Sequence, residues 1–208
     1  IISANMHSVM NSLFVKGTLK GTDAKRNLYE IYETLSDPKN LGMRNKVEKS
    51  ALQNGMIYIK DTSGTNIDVQ IFDTDKIDFS NTGFDYSDSV RDNKPVIFVM
   101  DYAFGEQAYE TLDEFLKPIK VEGEKVHLDV KSISIMGKAG ILEGGKGDVM
   151  IPSAHIFEGT ADNYPFKNEL SKNDLVDCGV DVYEGTMITV LGTSLQNKEI
   201  LKFFKKST

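Results

Sequence analysis

The chain has 208 residues and a formal net charge of −7, from 24 lysine and arginine residues against 31 aspartate and glutamate residues. A chain of this length can bury a core large enough to be stable without disulfides or structural metals. The single cysteine excludes a disulfide framework or a cysteine-rich zinc site. The acidic balance argues against nucleic-acid binding. No apolar run approaches the roughly 20 residues of a membrane helix. With no charged-then-apolar leader, a cytoplasmic protein is expected. Because the chain opens on Ile1 rather than methionine, it is expected to be a piece of a longer product.

The first half of the chain predicts helices followed by a β-hairpin. Apolar residues at helical spacing predict one helix, with Thr22 or Asp23 as its cap, that ends at Asp37-Pro38. A second helix is predicted over 43–53, and it stops at Asn54-Gly55. Alternating residues in 56–61 and 67–73 then predict the two strands of a hairpin. Residues 73–94 carry many aspartate, serine and asparagine residues, which predicts a long exposed loop. A calcium loop is disfavoured there because its spacing and closing glutamate are missing.

From residue 95 onward, apolar β-branched runs alternate with polar or glycine-containing turns. A helix is predicted after the first of these runs, stopped by Pro118. Strands of one central sheet are predicted near 95–101, 130–136, 148–157 and 185–191. The fold class is therefore α/β, with a central mixed, twisted sheet flanked by helices. The core is predicted over 95–208, and the N-terminal region 1–94 is predicted to pack on the same domain.

Three turns that follow these strands, "DYAFGEQ", "GKAG" and "GTSLQ", are candidates for a common ligand site. Ligands of open α/β sheets bind beyond the carboxyl ends of the strands, where such turns converge. In the second turn, residues 137–140 can offer backbone N–H groups and the Lys138 ammonium to an anion. The spacing of a nucleotide-triphosphate loop is absent. The alternative is that these glycines only close tight turns between strands and helices.

The segment "FEGTADNYPF" sets two aromatic rings, Tyr164 and Phe166, beside Glu158 and Asn163. Flat rings with a few polar groups suit a nucleobase and the hydroxyls of its sugar. A loop anchored in the core by its aromatic side chains is the alternative. His155, late in a predicted strand, is expected to be a hydrogen-bonded structural residue rather than part of a pocket.

In order, these segments resemble the nucleoside phosphorylase and nucleosidase superfamily. The resemblance is carried by "VIFVMDYAFGEQAYETLDEFL", "SISIMGKAGIL", "KGDVMIP", "EGTADNYPF" and "EGTMITVLGTSLQ", and it covers roughly residues 95–208. It implies a phosphorylase-like fold that lacks its C-terminal end, because the family's Glu-Met-Glu segment and its later catalytic aspartate would follow Thr208. Little glycosidase activity is therefore expected of these 208 residues alone.

The resemblance implies cleavage of the N-glycosidic bond of a nucleoside or nucleotide, by phosphorolysis or hydrolysis. The alternative is a non-catalytic nucleotide-binding or regulatory module. The catalytic residues are not identified, and no cofactor or metal is implied beyond inorganic phosphate as a co-substrate. A homo-oligomer is also expected by this analogy. The residues that the resemblance assigns to substrate binding are Phe104, Gly105, Gly137, Lys138, Ala139, Gly140, Glu158, Asn163, Tyr164, Phe166, Thr193 and Ser194.

Two positions depart from the family pattern. Ile135 stands where the phosphorylases usually carry an arginine, and Lys138 stands where they carry serine or threonine. Lysine lacks the bidentate fork of arginine. These departures favour hydrolysis, or a substrate that carries its own phosphate, over classical phosphorolysis.

Overall fold

A computed structural model describes residues 1–19, 27–82, 86–103, 105–157, 159–160, 163–176 and 179–190. The chain divides into two compact units, Ile1–Gly137 and Lys138–Thr208. The boundary predicted from sequence at residue 94 falls inside the first unit. In this unit the N-terminal region and the start of the predicted core share one sheet, because Ile2 and Ser3 pair with Val99 and Met100.

The first unit contains five α-helices and seven strands among the described residues, in the order β1, α1–α3, β2–β3, α4, β4, α5 and β5–β7. The helices are α1 (Met6–Thr18), α2 (Leu28–Ser36), α3 (Leu41–Gln53), α4 (Asp88–Asn93) and α5 (Gly105–Leu116). The strands are β1 (Ile2–Ser3), β2 (Met56–Ile59), β3 (Val69–Asp73), β4 (Val96–Met100), β5 (Ile119–Val121), β6 (Glu124–Val126) and β7 (Ser134–Ile135).

Local signals account for the ends of the helices. The Asn5 side chain accepts a hydrogen bond from the His7 amide and caps α1, and Asn27 caps α2 through the Glu30 amide. Helix α2 ends before Asp37-Pro38, and α3 ends before Asn54-Gly55, both as predicted. The prediction that Thr22 or Asp23 caps α2 is wrong, because α2 begins at Leu28 and its cap is Asn27. Thr22 and Asp23 themselves lie outside the described residues.

The main sheet of the first unit has the strand order β2-β3-β4-β1-β7. Strands β4, β1 and β7 are parallel, and β2 and β3 join them as antiparallel neighbours. The predicted hairpin over 56–73 is confirmed as β2 and β3. A separate two-stranded hairpin is formed by β5 and β6. The sheet is thus mixed and flanked by helices, as the sequence predicts for the fold class.

Helices α1 and α5 pack on opposite faces of this sheet. The Phe14 ring of α1 stacks on Phe72, with ring centroids 6.1 Å apart, within the main apolar core. The Phe115 ring of α5 packs on Phe98, with centroids 4.2 Å apart. Phe98 pairs with Ile71, the residue next to Phe72, so the two packing sites face opposite sides of the sheet.

The segment 73–94 differs from the exposed loop that its composition predicts. It holds two short 3-10 helices, Thr74–Lys76 and Phe79–Asn81, in addition to α4. Thr74 and Ile77 are buried, and the Thr74 hydroxyl donates a hydrogen bond to the Pro95 carbonyl at 2.6 Å. Aspartates there cap the short helices through their side chains, so the polar composition reflects capping as well as solvent exposure.

The second unit contains a three-stranded sheet in the order β10-β8-β9, formed by β8 (Val149–Phe157), β9 (Asn163–Pro165) and β10 (Val182–Thr189). Strands β8 and β10 are parallel, and β9 is antiparallel to β8. A 3-10 helix, Lys172–Leu175, lies before β10. Ile151, Ala154 and Val182 are the buried apolar residues of this sheet among those described.

The prediction that four strands form one sheet is wrong. Strands β4 and β7 belong to the sheet of the first unit, whereas β8 and β10 pair with each other in the second. The apolar runs identify strands but carry no information on partners, because pairing is decided by contacts distant in sequence. The run at 130–136 is also shorter than predicted. It forms only the two-residue edge strand β7, in which Ile135 is 71% exposed.

Candidate functional site

The carboxyl ends of β4, β1 and β7 lie side by side along one edge of the first unit's sheet. The Ala4 amide donates to the Met100 carbonyl at 3.1 Å, and the Met136 amide donates to the Ser3 carbonyl at 2.8 Å. The chain continues from β1 into α1 and from β4 into α5, which cover opposite faces. Neighbouring parallel strands whose helices leave in opposite directions create the crevice where α/β sheets bind ligands.

Asp68 connects three parts of this edge. Its carbonyl accepts the Asp101 amide at 3.0 Å, which extends the β3–β4 pairing by one step beyond the strands. Its carboxylate accepts the Tyr58 hydroxyl and, at 2.8 Å, the Asp61 amide. Asp68 therefore holds the end of β4, the tyrosine of β2 and the start of the hairpin loop 61–66 in one arrangement.

These hydrogen bonds change the acidities of both side chains. The bond from the Tyr58 hydroxyl, followed by the Asp61 amide, lowers the pKa of the Asp68 carboxyl. The bond to Asp68 is the main cause that raises the pKa of Tyr58 to about 12, with burial and the charges of Asp68, Glu48 and Asp101 adding to it. The Tyr58 hydroxyl is thus fixed as a neutral donor to an ionised acceptor.

We expect Asp68→Asn to lower the pKa of Tyr58 from about 12 toward the ordinary value of 10.0. The amide still accepts the hydrogen bond but removes the negative charge that disfavours the phenolate. Because the folded pKa lies above the unfolded one, the stabilisation is complete below pH 10 and is lost as the pH rises through about 12. Carbon-13 NMR of the tyrosine Cζ atoms measures this, with Tyr58→Phe for assignment.

The matched control is Asp92→Asn, at an exposed carboxylate of α4. It should leave the titration of Tyr58 unchanged. A wild-type Tyr58 that titrates at the ordinary tyrosine value would contradict the Tyr58–Asp68 arrangement.

The hairpin loop 61–66 is organised by Asp61. The Asp61 carboxylate accepts the backbone amides of Ser63, Gly64 and Asn66 at 2.8, 3.1 and 2.7 Å. The Ser63 hydroxyl, which donates at 2.6 Å, holds the pKa of the Asp61 carboxyl well below its usual range, and the amides of Ser63 and Asn66 lower it further. At the far side of the loop, the Thr65 carbonyl accepts the Gln107 side-chain amide from the first turn of α5.

Two of the sequence-predicted site residues lie at this edge. Gly105 is the first residue of α5, directly beyond the turn after β4, and Gly137 follows the end of β7. Strand β1 lies between β4 and β7, so the two turns flank the start of α1. Phe104 lies outside the described residues.

The other predicted residues belong to the second unit. Lys138, Ala139 and Gly140 are exposed, and Asn163, Tyr164 and Phe166 lie in or directly after β9, with Tyr164 and Phe166 exposed by 56% and 42%. These rings therefore do not anchor a loop in the unit's core. The remaining three, Glu158, Thr193 and Ser194, lie outside the described residues.

The hydrogen-bonded role expected for His155 agrees with the structure. His155 Nε2 lies 2.7 Å from Thr189 Oγ1, and His155 pairs with Tyr164 across β8 and β9. Asp148 has a comparable local role, because its carboxylate accepts the Gly145 amide at 2.6 Å just before β8 begins.

An open depression of about 440 Å³ lies on the second unit. Of the residues predicted to bind substrate, none of those that the structure describes lines it. Its walls are formed by Lys146, Gly147, Asp148, Gly179, Val180 and Asp181. Within the described parts of the chain, no group of three or more histidine, cysteine or acidic side chains could hold a metal ion.

The sequence reasoning missed the residues that organise the edge of the first unit: Asp61, Asp68, Asp101 and Gln107. The role of Asp101 could have been predicted, because this residue opens the candidate turn "DYAFGEQ" directly after a predicted buried strand. The role of Asp68 could not, because it depends on the register of β3 against β4.

The first unit is thus an α/β domain whose strand connections diverge at the carboxyl edge of β4, β1 and β7. A family model described as "Family of unknown function (DUF6909)" matches residues 23–208, and the chain belongs to this family. No curated protein and no solved structure matches the chain. Among the described residues, no helix is long and apolar enough to cross a membrane.

Proposed function

We propose that the protein binds a nucleoside or nucleotide at the carboxyl edge of β4, β1 and β7 and cleaves its N-glycosidic bond. One observation carries the proposal. The turns at Gly105 and Gly137, which the resemblance to nucleoside phosphorylases assigns to substrate binding, flank the end of β1 on one sheet edge. These turns are more than 30 residues apart in sequence, and only the pairing of β1 with both β4 and β7 brings them together.

The groups at this edge suit such a substrate. Helix α5 follows β4, which ends there, and the N–H groups of a first helical turn favour a phosphate. In α1, Asn5 already binds the amides of His7 and Ser8. The Asp101 carboxylate, at the end of β4, can stabilise the positive charge that develops on the ribose as the bond to the base breaks. Water or phosphate then bonds to the anomeric carbon, and the base leaves with the bonding electron pair and takes up a proton.

A second candidate function is nucleotide binding without cleavage. Ile135 fills the position of the phosphorylase arginine and is largely exposed on the edge strand β7. No arginine stands in 95–208 to replace it. The lack of an arginine favours a regulatory module that binds a nucleotide without cleaving it.

The same resemblance supports a homo-oligomer that acts on a free small molecule. Inorganic phosphate is its only co-substrate, and only if cleavage is phosphorolytic. Multi-angle light scattering measures the oligomeric state.

The test combines binding with product analysis. Ribonucleosides and their 5′-monophosphates are titrated by calorimetry and then incubated with and without inorganic phosphate, and free base is measured by chromatography. Base release supports cleavage, and its dependence on phosphate distinguishes phosphorolysis from hydrolysis. Because little release is expected of these 208 residues alone, binding without release supports the second candidate when the full-length protein also releases no base, and the absence of binding contradicts both.

Asp101→Asn is the informative variant in this assay, with Asp92→Asn as the control of equal charge change. We expect Asp101→Asn to slow base release by about tenfold or more, because the carboxylate acts on a charge that exists only in the transition state. Equal rates in the two variants would contradict the role of Asp101.

A further inference from the structure

We propose that Asp61 and Gln107 are positioning residues that help to fix both ends of the turn after β4, and we call this arrangement the clamp. The ligand that this turn serves is taken from the proposed function, and the clamp itself follows from the hydrogen bonds of the first unit. Neither residue belongs to the substrate-binding set predicted from sequence. The clamp consists of loop 61–66, Asp68 and the Gln107 side chain.

The first point of the clamp is at the start of the turn. The Asp101 amide is bound by the Asp68 carbonyl at 3.0 Å, and the Asp68 carboxylate is in turn bound by the Asp61 amide at 2.8 Å. Asp61 thus contacts, through its backbone amide, the same residue whose carbonyl binds the end of β4.

The second point is at the far end of the turn. Gln107, in the first turn of α5 and two residues after Gly105, donates its side-chain amide to the Thr65 carbonyl. These residues are 42 positions apart in sequence, so the contact joins two separate elements. The turn is held at Asp101 on one side by Asp68, and at Gln107 on the other side by Thr65 of the hairpin loop.

The loop is stiff enough to act as a clamp because Asp61 binds it from inside. Three backbone amides of the loop donate to the Asp61 carboxylate. Residues 62–66 are exposed to solvent, so packing does not hold them in place. Gly64 and Asn66 have positive φ values of 90° and 58°, which these two residue types adopt more readily than others, so their sequence suits the turn that the Asp61 carboxylate holds. Without Asp61, the Thr65 carbonyl has no fixed position from which to bind Gln107.

The test uses variants that break the clamp without changing its shape. Gln107→Glu removes the donated N–H and keeps the side-chain size, and Gln53→Glu at the exposed end of α3 is the matched control. Asp61→Ala removes all the carboxylate contacts, whereas Asp61→Asn keeps one acceptor oxygen and should restore part of the effect. Hydrogen exchange of the unliganded protein and affinity for ribonucleoside 5′-monophosphates are both measured.

We expect Gln107→Glu and Asp61→Ala each to speed exchange severalfold at the amides of 63–66 and Asp101, and to weaken nucleotide binding about fivefold, the effect of one hydrogen bond. The double variant should lose no more than about the larger single effect, because both changes act through one loop. Gln53→Glu should change neither quantity.

Unchanged exchange in both variants would overturn the clamp. Faster exchange with unchanged nucleotide affinity would overturn the positioning role, because the loop would then be structural only. If the wild-type protein binds no nucleotide, the proposed function fails, and the exchange data alone decide whether the clamp exists.

Discussion

Phe72→Ala is expected to reduce the free energy of unfolding of the first unit by about 3–5 kcal/mol. The Phe72 side chain is fully buried in β3 and stacks on Phe14 of α1. Its removal leaves a cavity between the sheet and the helix that begins at the candidate site, and the surrounding side chains can fill it only in part. Urea unfolding followed by far-ultraviolet circular dichroism measures the loss.

Phe166→Ala is the control, because that ring is 42% exposed and outside the first unit's core. It should change stability by less than about 1 kcal/mol. Equal losses in the two variants would contradict the placement of Phe72 in the core.

Gly55→Ala is expected to cost about 2–4 kcal/mol, from backbone strain together with a steric clash. Gly55 lies in the turn between α3 and β2 with φ of 102°, a conformation that strains any residue with a Cβ atom. A Cβ there would lie 2.9 Å from both the Asp73 carbonyl oxygen and the Lys76 Cβ. Neither atom can move freely, because the Asp73 amide is bound to the Gly55 carbonyl at 2.9 Å.

Gly123→Ala separates the two contributions to this cost. Gly123 has a similar φ of 92° in the β5–β6 turn, but no atom lies within 4 Å of the added Cβ. It should therefore show the backbone strain alone, and a loss as large as that of Gly55→Ala would contradict the clash. Thermal unfolding of both variants under the same conditions gives the comparison.

Much of the first unit could be predicted from the sequence because its signals are local. The proline after Asp37, the Asn54-Gly55 stop and the alternation in 56–73 each depend on neighbouring residues only, and the structure confirms the elements they predict. Strand β1 could not be predicted, because two residues carry no periodicity. It is nevertheless the strand that joins β4 to β7 at the centre of the candidate site.

The division of the four predicted strands between two sheets could not be predicted from local sequence either. An apolar run such as that of β8 can pair with any strand of suitable length, and its partners β9 and β10 are fixed by contacts within the second unit. The candidate site shows the same limit. Gly105 and Gly137 could be predicted from the turns that follow strands, whereas the contacts of Asp68 and Gln107 depend on register and on loop geometry.

The central claim is that the carboxyl edge of β4, β1 and β7 binds a nucleotide. Hydrogen exchange of the backbone amides, measured with and without each of the four ribonucleoside 5′-monophosphates, tests it most directly. We predict that at least one nucleotide slows exchange at 4–8, 101–103, 105–107 and 136–137, the residues that end these strands and begin α1 and α5. Protection confined to residues after 137, or no protection by any of the four, would contradict the claim.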